Sequence, residues 1–397
     1  MNDYSAGVRR NAVLNVIRQI SRIALPLITF PYVTRVLTSE NYGKVGFCES
    51  IISYFVLAAS LGIGNYAVRE GVSQREDRDR TERFSNQILS INLLSTLLAY
   101  SALGVFLFFW NGEAEYKRLL LIQCVQILFA TVGIDWLFSI YEDYLYITVR
   151  SVLIQAASVA AVFLLIKKPE DFYLYSIISV GSSVLSNLVN LFYSRKYVRL
   201  RPVRDLELSR HLKPVLILFA NVALVQVYLN SDLTMIGFML GDTEVGDYRV
   251  SVQIYSLVKT LVNAIIAVIV PRLAKYAQDK SADAFRSVSV RAFKAVTVFL
   301  MPVIVGLFMV SKNAVLIAGG EEYLAGVPAL RILCGALLFA VPANFFINGI
   351  MLTKKMDGRI LVAAVVSAAA NVLLNFFFIP FFGITGAAVT TLISEEQ

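Results

Sequence analysis

Residues 359–379 read Arg-Ile-Leu-Val-Ala-Ala-Val-Val-Ser-Ala-Ala-Ala-Asn-Val-Leu-Leu-Asn-Phe-Phe-Phe-Ile. After Arg359 the stretch carries no charge, and about 20 consecutive apolar residues are what a helix needs to cross a hydrocarbon layer about 30 Å thick. A helix on the surface of a soluble protein keeps charged side chains on its outer face, and this stretch has none. The pattern recurs along the chain. Apolar runs bounded by charged loops predict helices at residues 11–34, 45–67, 86–110, 118–140, 146–166, 172–193, 213–240, 248–271, 293–310, 327–351 and 359–379. A twelfth run opens at Gly383 and meets Glu395-Glu396-Gln397 after twelve residues. At 1.5 Å per residue that is about 18 Å, so the twelfth helix is expected to be cut short.

Composition agrees. Of 397 residues, 57% are hydrophobic and 16% charged, against about 25% charged in a soluble domain, and the mean hydropathy is +0.67. A soluble globule with one buried core is excluded, and the expected class is an all-α polytopic membrane protein. The first run is long, is interrupted by Pro26 and Pro31 and lacks a small-residue cleavage site, so it is read as a retained helix.

Several chemistries are excluded. Cys48, Cys124 and Cys334 are scattered through apolar stretches and are expected to pack as small hydrophobes. The single histidine, His211, is read as lying in a basic loop, which leaves no material for a histidine metal centre or an intramembrane histidine relay. No G-x-x-x-x-G-K-[ST] run occurs. Gly62-Ile63-Gly64-Asn65-Tyr66-Ala67 fits G-x-G-x-x-A but sits in an apolar helix with no strand before it, so no dinucleotide site is expected there. No cofactor or metal is implied. The predicted outward loops are all short, which disfavours a membrane-bound polymerase or ligase and a role as an enzyme.

Lysine and arginine set the expected orientation. One set of flanks, from Arg9 and Arg10 through the loops at 69–83, 195–213, 272–294 and 354–359, holds 23 of them, and the opposite flanks hold 8. The N-terminus is therefore expected in the cytoplasm. The net charge of +8 is divided among short loops, which suits topology and not nucleic acid.

The stretch from Asn41-Tyr42-Gly43 to Arg69 can be laid on Glu244-Val245-Gly246 to Arg272 at an offset of 203, pairing Gly43 with Gly246 and Arg69 with Arg272. Both halves would start on the same side. The expectation is two six-helix bundles, residues 1–195 and 213–397, joined by a basic cytoplasmic linker at 196–212. They would be parallel repeats around a central cavity.

Polar residues inside spans mark a transport path. The first helix carries Asn11, Asn15, Arg18 and Arg22 on one face; the sixth carries Ser179, Ser183, Ser186 and Asn190; the eighth Ser256, Lys259 and Asn263; the eleventh Ser367, Asn371 and Asn375. The serine and asparagine stripes suit either cavity lining or helix–helix glue. Arg150 and Arg331 lie near enough to span ends to snorkel. Arg22 and Lys259 are too deep for that, and Arg18 and Arg22 stand one turn apart and repel. A wet cavity that receives a phosphate or pyrophosphate relieves both problems; the alternative is a first helix that begins near Ile23 and leaves both arginines in the cytoplasm. The candidate substrate contacts are Arg18, Arg22, Lys259, Arg150, Asn15 and Asn371. Among the acids Glu49, Asp135 and Asp232, Asp232 is the candidate for proton or Na⁺ coupling, with Asn221 and Asn230 on its helix and with Glu49 as a further candidate. Asp232 could instead pair with a cation, Glu49 could be solvated near a span end, and Asp135 could be a helix-end partner.

Pro26-Leu27-Ile28-Thr29-Phe30-Pro31-Tyr32-Val33-Thr34-Arg35-Val36-Leu37, then Asn41-Tyr42-Gly43, resembles the opening of Wzx-type oligosaccharide flippases. These form the polysaccharide branch of the multidrug/oligosaccharidyl-lipid/polysaccharide exporter superfamily. Leu61 through Glu70 is similar to that family's second-helix end, and Gly383-Ile384-Thr385-Gly386-Ala387-Ala388 resembles the start of its last helix. The resemblance implies a multi-pass protein of the bacterial cytoplasmic membrane with two six-helix bundles, an alternating-access cycle and a cationic central cavity. The implied cargo is an undecaprenyl-pyrophosphate-linked oligosaccharide, with membrane lipids and other polysaccharide-assembly proteins as partners. Arg18, Arg22 and Lys259 would hold the pyrophosphate and sugar head. Pro26 and Pro31 would let the first helix bend as a gate, or hold a static kink. A cation-coupled multidrug exporter of the same superfamily is the alternative.

Overall fold

A computed structural model describes residues 2–278, 282–352, 354 and 356–396. Lys280 and Lys355 lie outside the described residues. So do the side chains of Arg9, Arg272, Lys275 and Glu396, and with them one member of the Arg69–Arg272 pair.

The long helices are α1 (Asn2–Ser60), α2 (Ile63–Gly71), α3 (Arg78–Phe109), α4 (Ala114–Gln123), α5 (Val125–Val132), α6 (Asp135–Ile140), α7 (Tyr144–Leu165), α8 (Phe172–Tyr193), α9 (Leu208–Met239), α10 (Asp242–Gln278), α11 (Ala282–Ala318), α12 (Val327–Phe345) and α13 (Asp357–Glu396). Among the described residues there is no strand, and ten helical stretches are long and apolar enough to cross a membrane. Two of the α-helices contain a break within their own bounds. In α1 the backbone leaves the helical region at Thr38 (φ 68, ψ 165), and in α13 at Gly383 (φ 60, ψ −143). At 1.5 Å per residue the 59 residues of α1 extend about 90 Å, enough for two crossings. The helix continues through Pro26 and Pro31, so its break lies beyond both prolines.

The outer surface explains why water is the wrong solvent. Phe108 and Phe381 are each 81% exposed, and Phe109, Leu98, Val298 and Met309 also point outward. Side chains of this kind over so many helices match lipid tails.

Packing divides the chain into two compact units: Met1–Leu37 with Cys48–Gln226, and Thr38–Phe47 with Val227–Gln397. This differs from a division at 195 and 213, for a physical reason. The basic segment after α8 is strapped onto the first unit: Val198 is fully buried, the Arg201 N–H donates to Asn86 (2.9 Å) and the Val203 N–H donates to Ser90 (2.8 Å). The start of α9 follows it, with Val215 and Leu218 joining a core of Ile63, Tyr66, Phe84 and Trp136. His211 is consequently no loop residue. It is fully buried on α9, 2.7 Å from the Tyr66 hydroxyl through Nδ1 and 3.1 Å from Gln87 through Nε2. Cys48 and Cys334 are buried free thiols and Cys124 is half-buried.

The repeat acquires a physical meaning within the second unit. A Cβ on Gly43 would lie 1.8 Å from the Asp242 carbonyl oxygen, and one on Gly246 would lie 2.2 Å from the Ser39 carbonyl oxygen. Ser39 and Asp242 are themselves 203 apart, so the two contacts are reciprocal, as at a two-fold axis. Thr38 and Gly241, again 203 apart, both have positive φ (68 and 152). Each repeat thus breaks its helix at the same position, and the next turn is a close crossing that only glycine allows.

Candidate functional site

In the first unit α1, α7 and α8 enclose a polar cavity. Two long-range hydrogen bonds set α1 against α7: Thr148 donates to the Leu14 carbonyl (3.0 Å) and Tyr32 donates to the Ile166 carbonyl (2.6 Å). The start of α7 is held by Asp143, which accepts from the Tyr146 N–H (3.3 Å) and from the hydroxyls of Tyr193 (2.8 Å) and Tyr197 (2.7 Å). Burial alone would raise the Asp143 carboxyl, but these donors together hold it below the usual carboxylate range. The Tyr197 hydroxyl, buried and donating to Asp143, is pushed up to about 12. Tyr146 and Tyr193 stack at 3.7 Å between ring centres, which ties α7 to the end of α8.

The cavity so formed has a volume of about 210 Å³. Its charged lining is Arg18 and Arg22 from α1, Arg150 from α7 and Asp135 from the start of α6. Ser151 and Gln155 from α7 and Ser182, Ser183, Ser186 and Asn187 from α8 supply neutral polar groups. Arg150 donates to Asp135 at 2.9 Å, and Asn190 donates to the same oxygen at 2.7 Å. Arg18 and Arg22 make no hydrogen bond or ion pair among the described residues. Three guanidinium groups thus face one carboxylate. The buried Nε atoms of Arg18 and Arg150 and the buried Oε1 of Gln155 also have no partner, and such atoms cost stability unless something fills the cavity. A second space of about 160 Å³ adjoins it through Gln155 and Ser182 and runs on to Pro26 and Thr29.

The second unit holds a different site. Asp232 of α9, 8% exposed, accepts from Tyr248 (2.7 Å), Thr391 (2.7 Å) and Asn375 (2.6 Å). Asn375 also donates to Asn371 (3.2 Å), which accepts from Ser231 (2.7 Å), and Thr390 donates to Asn375. The groups that hydrogen-bond to Asp232 are all neutral. A cavity of about 270 Å³ reaches Asp232 and also touches Tyr228, Tyr255, Ser256, Lys259, Asn263 and Glu395. Lys259 is ion-paired with Glu395 at 2.5 Å, and Tyr255 donates to the same carboxylate at 3.2 Å.

These placements redistribute the residues singled out from sequence. Arg18, Arg22 and Arg150 share one cavity, with Arg150 committed to Asp135. Lys259 belongs to the second unit's cavity, where Glu395 neutralises it, so it offers no free charge to an anion. Asn371 belongs with Asp232 instead of with the arginines. Asn15 lines neither cavity, although its Oδ1 is buried without a partner. Asn221 donates to Ile217 of its own helix (3.1 Å), eleven residues from Asp232, and Glu49 lines none of the cavities described. On α8, Ser179, Ser183 and Ser186 line cavities while Asn190 bonds Asp135 and Tyr146. On α10, Ser256, Lys259 and Asn263 all line the second cavity. Sequence reasoning passed over Ser151, Gln155 and Ser158 at i, i+4 and i+7 of α7, a stripe as regular as the others. It also passed over Asn375 as the partner of Asp232.

The polysaccharide biosynthesis protein family matches residues 8–277, more than half of the chain, and the chain belongs to that family. A protein of Escherichia coli (strain K12) described as "Putative O-antigen transporter" is 24% identical over 410 residues, covering 100% of this chain and 95% of its own. Among solved structures, the lipid II flippase MurJ in an inward closed conformation superposes with a TM-score of 0.75 at 16% identity, over 97% of this chain and 85% of its own. An inward-facing multidrug resistance MATE transporter superposes at 0.65 and 15% identity, over 97% and 94%. The fold is that of a polytopic all-α transporter.

Proposed function

We propose that the protein is a flippase that moves undecaprenyl-pyrophosphate-linked oligosaccharide units from the cytoplasmic to the outer leaflet of a bacterial cytoplasmic membrane by alternating access, with no bond made or broken. The observation that carries this reading is the cationic excess of the first unit's cavity: Arg18 and Arg22 are unpaired and Arg150 alone is balanced. Unpaired guanidinium groups in a membrane protein are costly, and a pyrophosphate is the kind of ligand whose oxygens satisfy both. The relative described as an O-antigen transporter and the family match support a lipid-linked sugar as the rest of the cargo. The lysine and arginine bias supports a cytoplasmic N-terminus. Asp232, held by Tyr248, Thr391 and Asn375 with an open cavity beside it, is the site at which a proton or Na⁺ would couple to the cycle. Pro26 and Pro31 would then act as soft points of α1 during that cycle. Membrane lipids and other polysaccharide-assembly proteins are the expected partners.

The MATE neighbour keeps a multidrug exporter in view, but cationic drugs are repelled by a cavity with excess arginine. Proteoliposomes carrying a fluorescent undecaprenyl-pyrophosphate saccharide in one leaflet separate the two. The flippase reading requires protein-dependent loss of the label to the opposite leaflet; export of cationic dyes without lipid movement overturns it.

A further inference from the structure

Along the path between α1, α7 and α8 the charge ends abruptly. The 210 Å³ space holds Arg18, Arg22, Arg150 and Asp135; the adjoining 160 Å³ space holds no charged residue. Gln155 and Ser182 belong to both, so they stand at the boundary. Beyond it the wall mixes hydroxyls (Ser158, Ser179) with apolar surface (Val159, Ile178). The Gln155 Oε1 is buried and unpartnered. Whichever way its amide is turned, a polar atom there lacks a partner that the protein does not supply. Alternating hydroxyl and aliphatic surface beside an unmet amide suits a pyranose, whose C–H faces are apolar and whose rim is hydroxyl. A lipid tail would leave the Gln155 Oε1 unmet. The two spaces together reach the lower end of the size range of small-ligand pockets, about 300–1,000 Å³.

We infer that the neutral compartment is a sugar subsite that receives the first pyranose attached to the pyrophosphate, and that Gln155 reads it by accepting a hydrogen bond from a hydroxyl or amide N–H of that sugar. The inference rests on the anion site at Arg18 and Arg22 and adds a specificity-determining residue to it. A site built around such a hydrogen bond rejects ligands that lack the partner, because its own polar group is then left unmet.

The test measures binding of two probes to the purified full-length protein in nanodiscs: a short-chain polyprenyl pyrophosphate, and the same lipid carrying one N-acetylhexosamine on its terminal phosphate. The wild type is expected to bind the sugar-bearing probe about tenfold or more tightly than the bare one, the scale of one well-placed hydrogen bond. Gln155→Met, similar in size and lacking the amide, is expected to abolish that preference; because Gln155 borders both spaces, the readout is the ratio of the two affinities in each protein, not the bare-probe affinity by itself. Ser182→Ala provides a second variant, expected to reduce the preference, and a monodisperse elution profile with an unchanged melting temperature reports that each variant is folded. Equal binding of both probes by the wild type, or a preference that survives in both variants, overturns the sugar subsite alone. Failure of the bare probe to bind, or its indifference to Arg18→Ala, overturns the anion site beneath it.

Discussion

Replacing Arg18 by alanine tests the charge argument at its strongest point. Arg18 is half-buried and its Nε has no partner, whereas Arg22 is exposed. A charge-assisted hydrogen bond to a pyrophosphate oxygen contributes about 1.5–3 kcal/mol, so Arg18→Ala should weaken binding of a polyprenyl pyrophosphate about 10- to 150-fold. Arg22, screened by solvent, should contribute about 0.5–1 kcal/mol, or about two- to fivefold. The two are one helical turn apart, so the double variant is not expected to be additive. Asp135→Asn works in the opposite direction. It removes the carboxylate that occupies Arg150 at 2.9 Å and leaves three uncompensated guanidinium groups, so binding should tighten severalfold. Calorimetric titration of the bare pyrophosphate at low and high salt reads all of these, and the affinity should fall as salt rises. An Arg18→Ala protein that binds as tightly as the wild type, or an Asp135→Asn protein that binds more weakly while still folded, would refute the anion site.

Other consequences follow from the same geometry. Asp232→Asn should insert and fold, because Tyr248 and Thr391 can still donate to the amide oxygen, yet lose the response of transport to pH or Na⁺ gradients; an unchanged response removes the coupling role. Gly43→Ala should lower the thermal midpoint, since its Cβ would lie 1.8 Å from a backbone oxygen and overpacking costs about 1–3 kcal/mol or more; Gly104→Ala, with open space around it, is the neutral control. Lys259→Met strands Glu395 and should destabilise by up to about 3–5 kcal/mol, with Lys259→Met/Glu395→Gln recovering most of the loss in a melting assay. Asp143, whose carboxyl is held below its usual range, contributes stability that is complete above the ordinary carboxylate pKa and lost as pH falls through the depressed value; Asp143→Asn should flatten the melting temperature over that acid range, below about pH 4.

Much of the architecture is legible in residue order because lipid imposes a strong local rule. Any segment crossing hydrocarbon must satisfy its own backbone and carry an apolar exterior, so residues 359–379 declare themselves without reference to the rest of the chain. The offset of 203 between Gly43 and Gly246 was visible for the same reason, since a close helix crossing demands glycine wherever it recurs. The pairing of charges was not legible. Lys259 and Glu395 are 136 residues apart, Arg150 and Asp135 lie on different helices, and the asparagine that meets Asp232 is Asn375 rather than Asn221. Spacing along one helix shows which side chains share a face. Which face meets which, and so which cation is left free for a ligand, is settled by packing between helices that lie far apart in sequence. His211 shows the same limit: polar neighbours in sequence suggested a loop, and the aromatic core of Tyr66 and Phe84 closed over it. The sequence by itself determined that this chain is a bundle of membrane helices with cations inside; only the tertiary structure decided that, among the described residues, Arg150 and Lys259 are paired while Arg18 and Arg22 are not, because charge neutralisation acts through space.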